Sequence, residues 1–85
     1  EAMLRNVRYP PHLEDAGIEG NVVVQAFVDK TGKVIYVKIL KGVPEIELNE
    51  AALDAIKKTR FRPAKQRDIP VGVWISLPVT FRIGL

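Results

Sequence analysis

From Pro70 to Ile83 the odd positions are Val71, Val73, Ile75, Leu77, Val79, Phe81 and Ile83, all apolar. The even positions are Gly72, Trp74, Ser76, Pro78, Thr80 and Arg82, mostly small or polar. A strand points successive side chains to opposite faces, so this stretch predicts one long strand with a dry face and a wet face. Pro78 adds an edge signal. Proline has no N–H for a ladder and inside a strand belongs at an open edge. Backbone groups alternate between the two neighbours of a strand. If Pro78 faces outward, the even residues present their backbone to the open edge and the odd residues bond inward. Natural domains usually blunt such edges because they invite pairing with another chain.

The rest of the chain supplies partners for this strand. Tyr9-Pro10-Pro11 fixes the backbone and suits the first turn of a short helix. That helix is expected to run through Ala16 and stop at Gly17, with Leu13 and Ala16 on the core. Asn21–Asp29 reads as a strand with Val22, Val24, Ala26 and Val28 on one face. Lys30-Thr31-Gly32 is a hairpin connection with glycine available for positive φ. Lys33–Lys41 is a second strand whose apolar residues do not alternate cleanly. Ile35, Val37 and Ile39 share one face, while Val34, Tyr36 and Leu40 lie opposite, a pattern that fits a bulge or burial of both faces.

A second helix is expected from about Glu50 to about Arg60. Asn49 is its expected cap, with Leu48 and Leu53 placed for a hydrophobic staple. Leu48, Ala52, Ala55, Ile56 and Thr59 form its apolar stripe. Lys57, Lys58 and Arg60 near its end complement the helix dipole. Arg62-Pro63 follows as a stop, and Ala64–Ile69 reads as a polar connector. The expected fold class is α+β. A three-stranded antiparallel or mixed sheet has order 2-1-3, with two helices on one face.

Length and composition narrow the function classes. Eighty-five residues make a single domain with one small core. No run approaches the roughly 20 apolar residues of a membrane span. There is no cysteine, hence no disulfide framework and no thiolate chemistry. The net charge of +3 favours an acidic partner or surface without requiring nucleic acid. His12 is the only histidine, and Asp29 with Lys30 and Gly32 lacks the ligand count of a calcium loop. No nucleophile, base and oxyanion donor can be assembled, so no enzyme, cofactor or metal is expected. Lys57, Lys58, Arg60, Arg62, Lys65 and Arg67 form a basic run, read mainly as a solvated helix end and connector.

Taken together, several short pieces resemble the C-terminal domain of TonB-type energy transducers. They are Tyr9-Pro10, Gly20-Asn21-Val22-Val23-Val24 and Val28-Asp29-Lys30-Thr31-Gly32-Lys33-Val34. Residues 51–64, from Ala51-Ala52-Leu53 to Phe61-Arg62-Pro63-Ala64, give the strongest run, followed by Pro70-Val71 and Leu77-Pro78-Val79-Thr80-Phe81. The resemblance covers residues 8 to 83 and divides the chain into a lead-in, 1–8, and the domain proper, 9–85.

The resemblance implies a periplasmic domain attached to the inner membrane in a longer protein, with a proline-rich spacer and an anchor that meets a proton-driven ExbB–ExbD motor. A chain opening on Glu1 fits a domain of something longer. The resemblance also implies TonB-dependent outer-membrane receptors as partners, their TonB box peptide adding as a strand to the last strand. The expected docking edge is the backbone of Trp74, Ser76, Thr80 and Arg82. Asn6, Val7, Arg8 and Tyr9 are candidate contacts beside it. The open edge also makes a homodimer accessible. The alternatives are a small basic nucleic-acid binder using sheet-face aromatics such as Phe27 and Trp74, and a TonB-like interaction module on another periplasmic or signalling protein.

Overall fold

The computed structural model describes residues 7–83. Its elements in chain order are α1 (Pro11–Asp15), β1 (Gly20–Val28), β2 (Val34–Lys41), α2 (Ile46–Lys58), β3 (Ala64–Gln66), β4 (Ile69–Val71) and β5 (Val73–Phe81). The main sheet has order β2-β1-β5, with β1 antiparallel to both neighbours. The expected order 2-1-3 therefore holds, with β5 as the third long strand and every pairing antiparallel.

Burial follows the alternation of β1. Val22, Val24, Ala26 and Val28 are buried, and the first three share one core with Leu13 of α1 and with Leu48, Ala52 and Ile56 of α2. Both helices therefore lie on the same sheet face. Removing a Leu or Ile side chain from water contributes about 1.5–3 kcal/mol, and the alanines let α2 approach the sheet closely. The helical stripe is the expected one, and Thr59 at its end is buried as well.

Several local expectations need correction. α2 begins at Ile46, with Glu45 in the cap position and no side-chain cap bond. Asn49 lies inside the helix. Its side chain accepts from the Val43 N–H and donates to the Val43 carbonyl, each at 2.9 Å, so it fixes the loop before the helix instead of capping. The staple expected of Leu48 and Leu53 goes with the cap. At the far end the chain leaves the helix at Thr59, whose ψ of 136° is extended, and Thr59 Oγ1 donates to the Ala55 carbonyl at 2.7 Å. In α1 only Leu13 is buried and Ala16 is exposed, because the helix is barely more than one turn.

The β1–β2 register slips twice, between Phe27 and Val28 and between Val23 and Val24. The extra residues on β2 are Ile35 and Leu40, which are exposed. This is the bulge that the pattern of β2 allowed: Val34, Val37 and Ile39 pack on the core, and Ile35 leaves the face it would share by parity with Val37 and Ile39. Finally, Ala64–Ile69 is not a plain connector. Arg67 and Asp68 both take positive φ, 53° and 65°, and close a two-residue hairpin that pairs β3 with β4. The long final strand is thus divided at Gly72 into β4 and β5.

Candidate docking edge

β5 pairs with β1 over nine consecutive residues without a slip, from Val28↔Val73 to Gly20↔Phe81. Its other side has no strand partner among the described residues. The sheet has a second edge, β2, but two bulges bend and interrupt that strand. The domain therefore offers one regular edge and one blunted edge.

The phase of the open edge follows from two observations. Pro78 stands opposite Val23, a pair to which it can give no N–H, so its backbone points away from β1. The amide of Ile83, of odd number, turns the other way and donates to Glu19 Oε2 at 2.9 Å, next to the start of β1. Even residues of β5 consequently direct their N–H and C=O outward. Trp74, Ser76 and Thr80 are exposed strand residues of this set. Arg82 is exposed too, but it lies past the end of β5 and outside the ladder.

The even side chains of β5 share the sheet face away from the helices. There Trp74 meets Phe27 edge-on at 5.1 Å between ring centroids and Tyr36 at 5.5 Å. Such pairs add about 0.5–1.5 kcal/mol beyond area burial. Trp74 still keeps 57% of its surface exposed. Thr80 Oγ1 donates to Asn21 Oδ1 at 2.9 Å across the same face. Phe27 and Trp74 thus occupy the expected face, and Tyr36 completes a three-ring cluster.

Of the lead-in candidates, Asn6 lies outside the described residues. Val7 and Tyr9 are half-buried against the core and Arg8 is exposed. The Tyr9 ring packs edge-on against Phe81 at 5.4 Å, and its hydroxyl donates to the Ile18 carbonyl. Desolvation, with the carboxylates of Glu19 and Glu14, holds the phenol above its ordinary range. Tyr9 therefore packs over Phe81 at one end of β5.

The basic run is spread over three elements: the end of α2, the connector and the β3–β4 hairpin. Lys58 pairs with Asp54 at 2.9 Å. His12 Nε2 and Glu47 Oε1 are 2.6 Å apart, which ties α1 to α2 at the surface. Among the described residues no group of His, Cys, Asp and Glu could hold a metal ion.

Fold and edge together define a small α+β domain with helices on one sheet face, an exposed aromatic cluster on the other, and one open, regular edge strand. The family model for the Gram-negative bacterial TonB protein C-terminal matches residues 5–83. The chain belongs to that family. Protein TonB of Vibrio cholerae is 33% identical over 76 residues, covering 89% of this chain and 31% of that protein. Protein TonB of Helicobacter pylori is 42% identical over 76 residues, covering 89% and 26%. This chain thus spans about a third or less of the relatives' length. The solution structure of the Pseudomonas aeruginosa TonB C-terminal domain has the same fold, with a TM-score of 0.76 at 24% identity over 98% of this chain and 85% of that one. A Helicobacter pylori TonB C-terminal domain matches with a TM-score of 0.73 at 31% identity, over 92% and 82%.

The sequence reading missed Tyr36 as part of this aromatic face, and it missed the β3–β4 hairpin ahead of β5. Tyr36 carried a signal, since it falls opposite the apolar face of β2. The hairpin carried one turn signal, Asp68, since Arg67-Asp68 has neither glycine nor asparagine.

Proposed function

We propose that this domain is the receptor-binding end of a TonB-type energy transducer. It captures the TonB box of an outer-membrane receptor as an added strand on the outer edge of β5, using the backbone of Trp74, Ser76 and Thr80, with Arg82 just past the end of that edge. Asn6, Val7, Arg8 and Tyr9 are its candidate further contacts. The reading is non-enzymatic: main-chain hydrogen bonds supply affinity with loose sequence demands. It places the domain in the periplasm, tethered to the inner membrane and to an ExbB–ExbD motor by segments beyond this chain. Force along the strand would then load the ladder bonds together, which suits coupling of proton motive force to transport.

The observation that carries the reading is the contrast of edges: nine unslipped pairs behind β5, two bulges in β2. The test is an NMR titration of labelled protein with a panel of TonB-box peptides. The expected result is shifts concentrated on residues 72–82, with slowed exchange at even-numbered amides. Peptides that leave β5 unperturbed, while nucleic acid or an acidic protein shifts the Lys57–Arg67 segment, would overturn it.

A further inference from the structure

The open edge is longer than β5, and its prolines divide it. Gln66↔Ile69 closes the two-residue turn of the β3–β4 hairpin. Such a closing pair exchanges both backbone hydrogen bonds, so Ile69 and Val71 bond toward β3 and Pro70 faces away from it. In β5 the odd residues bond toward β1. The alternation runs unbroken between the two strands. A Cβ built on Gly72 would meet the Phe27 ring at 2.5 Å, on the face that also carries Trp74. β3 and β1 also lie on the same side of the composite strand. The Phe61 amide, just before β3, donates to Gly32 in the β1–β2 turn at 2.9 Å.

Residues 69–81 therefore present one outward edge, about 40 Å long at ~3.3 Å per residue. Pro70 and Pro78 both sit on its outward phase, and neither offers an N–H. Between them stand three consecutive outward donors, Gly72, Trp74 and Ser76. Beyond Pro78, β5 holds only Thr80.

The two halves also differ in cover. α2 packs mainly across β2 and β1. Val79 and Phe81 are buried, whereas Val71, Val73, Ile75 and Leu77 remain half-buried. Trp74 is exposed on the opposite face. From Val71 to Leu77 no side chain carries a charge. An added strand would find apolar surface on both faces here and no ionic partner.

The geometry points to a docking window framed by Pro70 and Pro78, in which Gly72, Trp74 and Ser76 take up an extended, uncharged, proline-free peptide segment and set its register. This rests on the strand-addition reading and narrows it. The prolines stop the added strand at both ends, so the edge accepts a short segment and resists open-ended pairing. Gly72 leaves room for the tip of the Phe27 ring at one end of the window, and the exposed indole of Trp74 receives a side chain of the incoming strand.

The test measures amide exchange, residue by residue, with saturating peptide. The probes are a blocked seven-residue peptide alternating Val and Thr, and the TonB-box panel. New protection is expected at Gly72, Trp74 and Ser76, with Thr80 unchanged. Pro78→Ala is expected to extend protection to position 78 and Thr80. Ser76→Pro removes one outward donor and is expected to weaken binding roughly five- to tenfold, the effect of losing one such bond. Slow exchange at Ile75 and Leu77 would show its β1 ladder intact. Protection confined to Thr80 and beyond would sink the window while leaving strand addition standing. No protection at any even-numbered amide with any peptide would sink both.

Discussion

The Phe61 amide donates to the Gly32 carbonyl at 2.9 Å, and the Phe61 carbonyl oxygen lies 2.0 Å from where a Cβ on Gly32 would stand. The tip of the β1–β2 hairpin is thus sealed against the chain that leaves α2. Gly32 is buried there with φ of 90°. This contact holds the connector that leads to the β3–β4 hairpin, and so places the start of the open edge.

Gly32→Ala meets two penalties, a positive φ and a clash with backbone that cannot rotate away. The expected loss exceeds about 2 kcal/mol, since the left-handed conformation alone costs ~1–2 kcal/mol. Chemical denaturation checks it. A loss under half that figure would mean the Phe61 segment is free to move aside.

Asn49→Ala leaves both the N–H and the C=O of Val43 without their partner. Alanine is the better helix former, which offsets part of the loss. The expected net destabilisation is about 1–2 kcal/mol, the range for orphaned part-buried backbone groups. A substitution that stabilised the protein would show Asn49 to be an ordinary helix position.

Asp29 predicts the acid behaviour. Its Oδ1 accepts from the Thr31 hydroxyl at 2.6 Å, the Thr31 N–H at 2.8 Å and the Lys33 N–H at 3.0 Å. The Thr31 hydroxyl first, then the backbone amides and Arg60, hold its carboxyl below the ordinary 3.8. A depressed carboxylate contributes stability that is complete above its unfolded pKa and is lost as pH falls through the folded value. The melting temperature should therefore drop below about pH 4. Asp29→Asn should melt lower than the wild type at neutral pH and show a shallower decline in acid. Parallel melting curves for the two proteins down to pH 2 would refute this role.

The sequence by itself determined the elements whose pattern repeats locally. Val22 to Val28 and Val71 to Phe81 alternate because a strand turns each side chain by half a revolution. Leu48 to Thr59 recur at helical spacing because a helix does not. Pro78 marked the edge and its phase, since a missing N–H is legible in one letter. Tertiary structure decided whatever depended on a distant partner. Asn49 looks like a cap until Val43 takes its amide. Ile35 shares a parity with Val37 until a bulge against Phe27 and Val28 sets it outside. Arg67 and Asp68 read as a connector until β3 and β4 pair around them. Pro70 and Pro78 share a parity in the sequence, but only the pairing of β3 and β1 on one side shows that both face the same open edge.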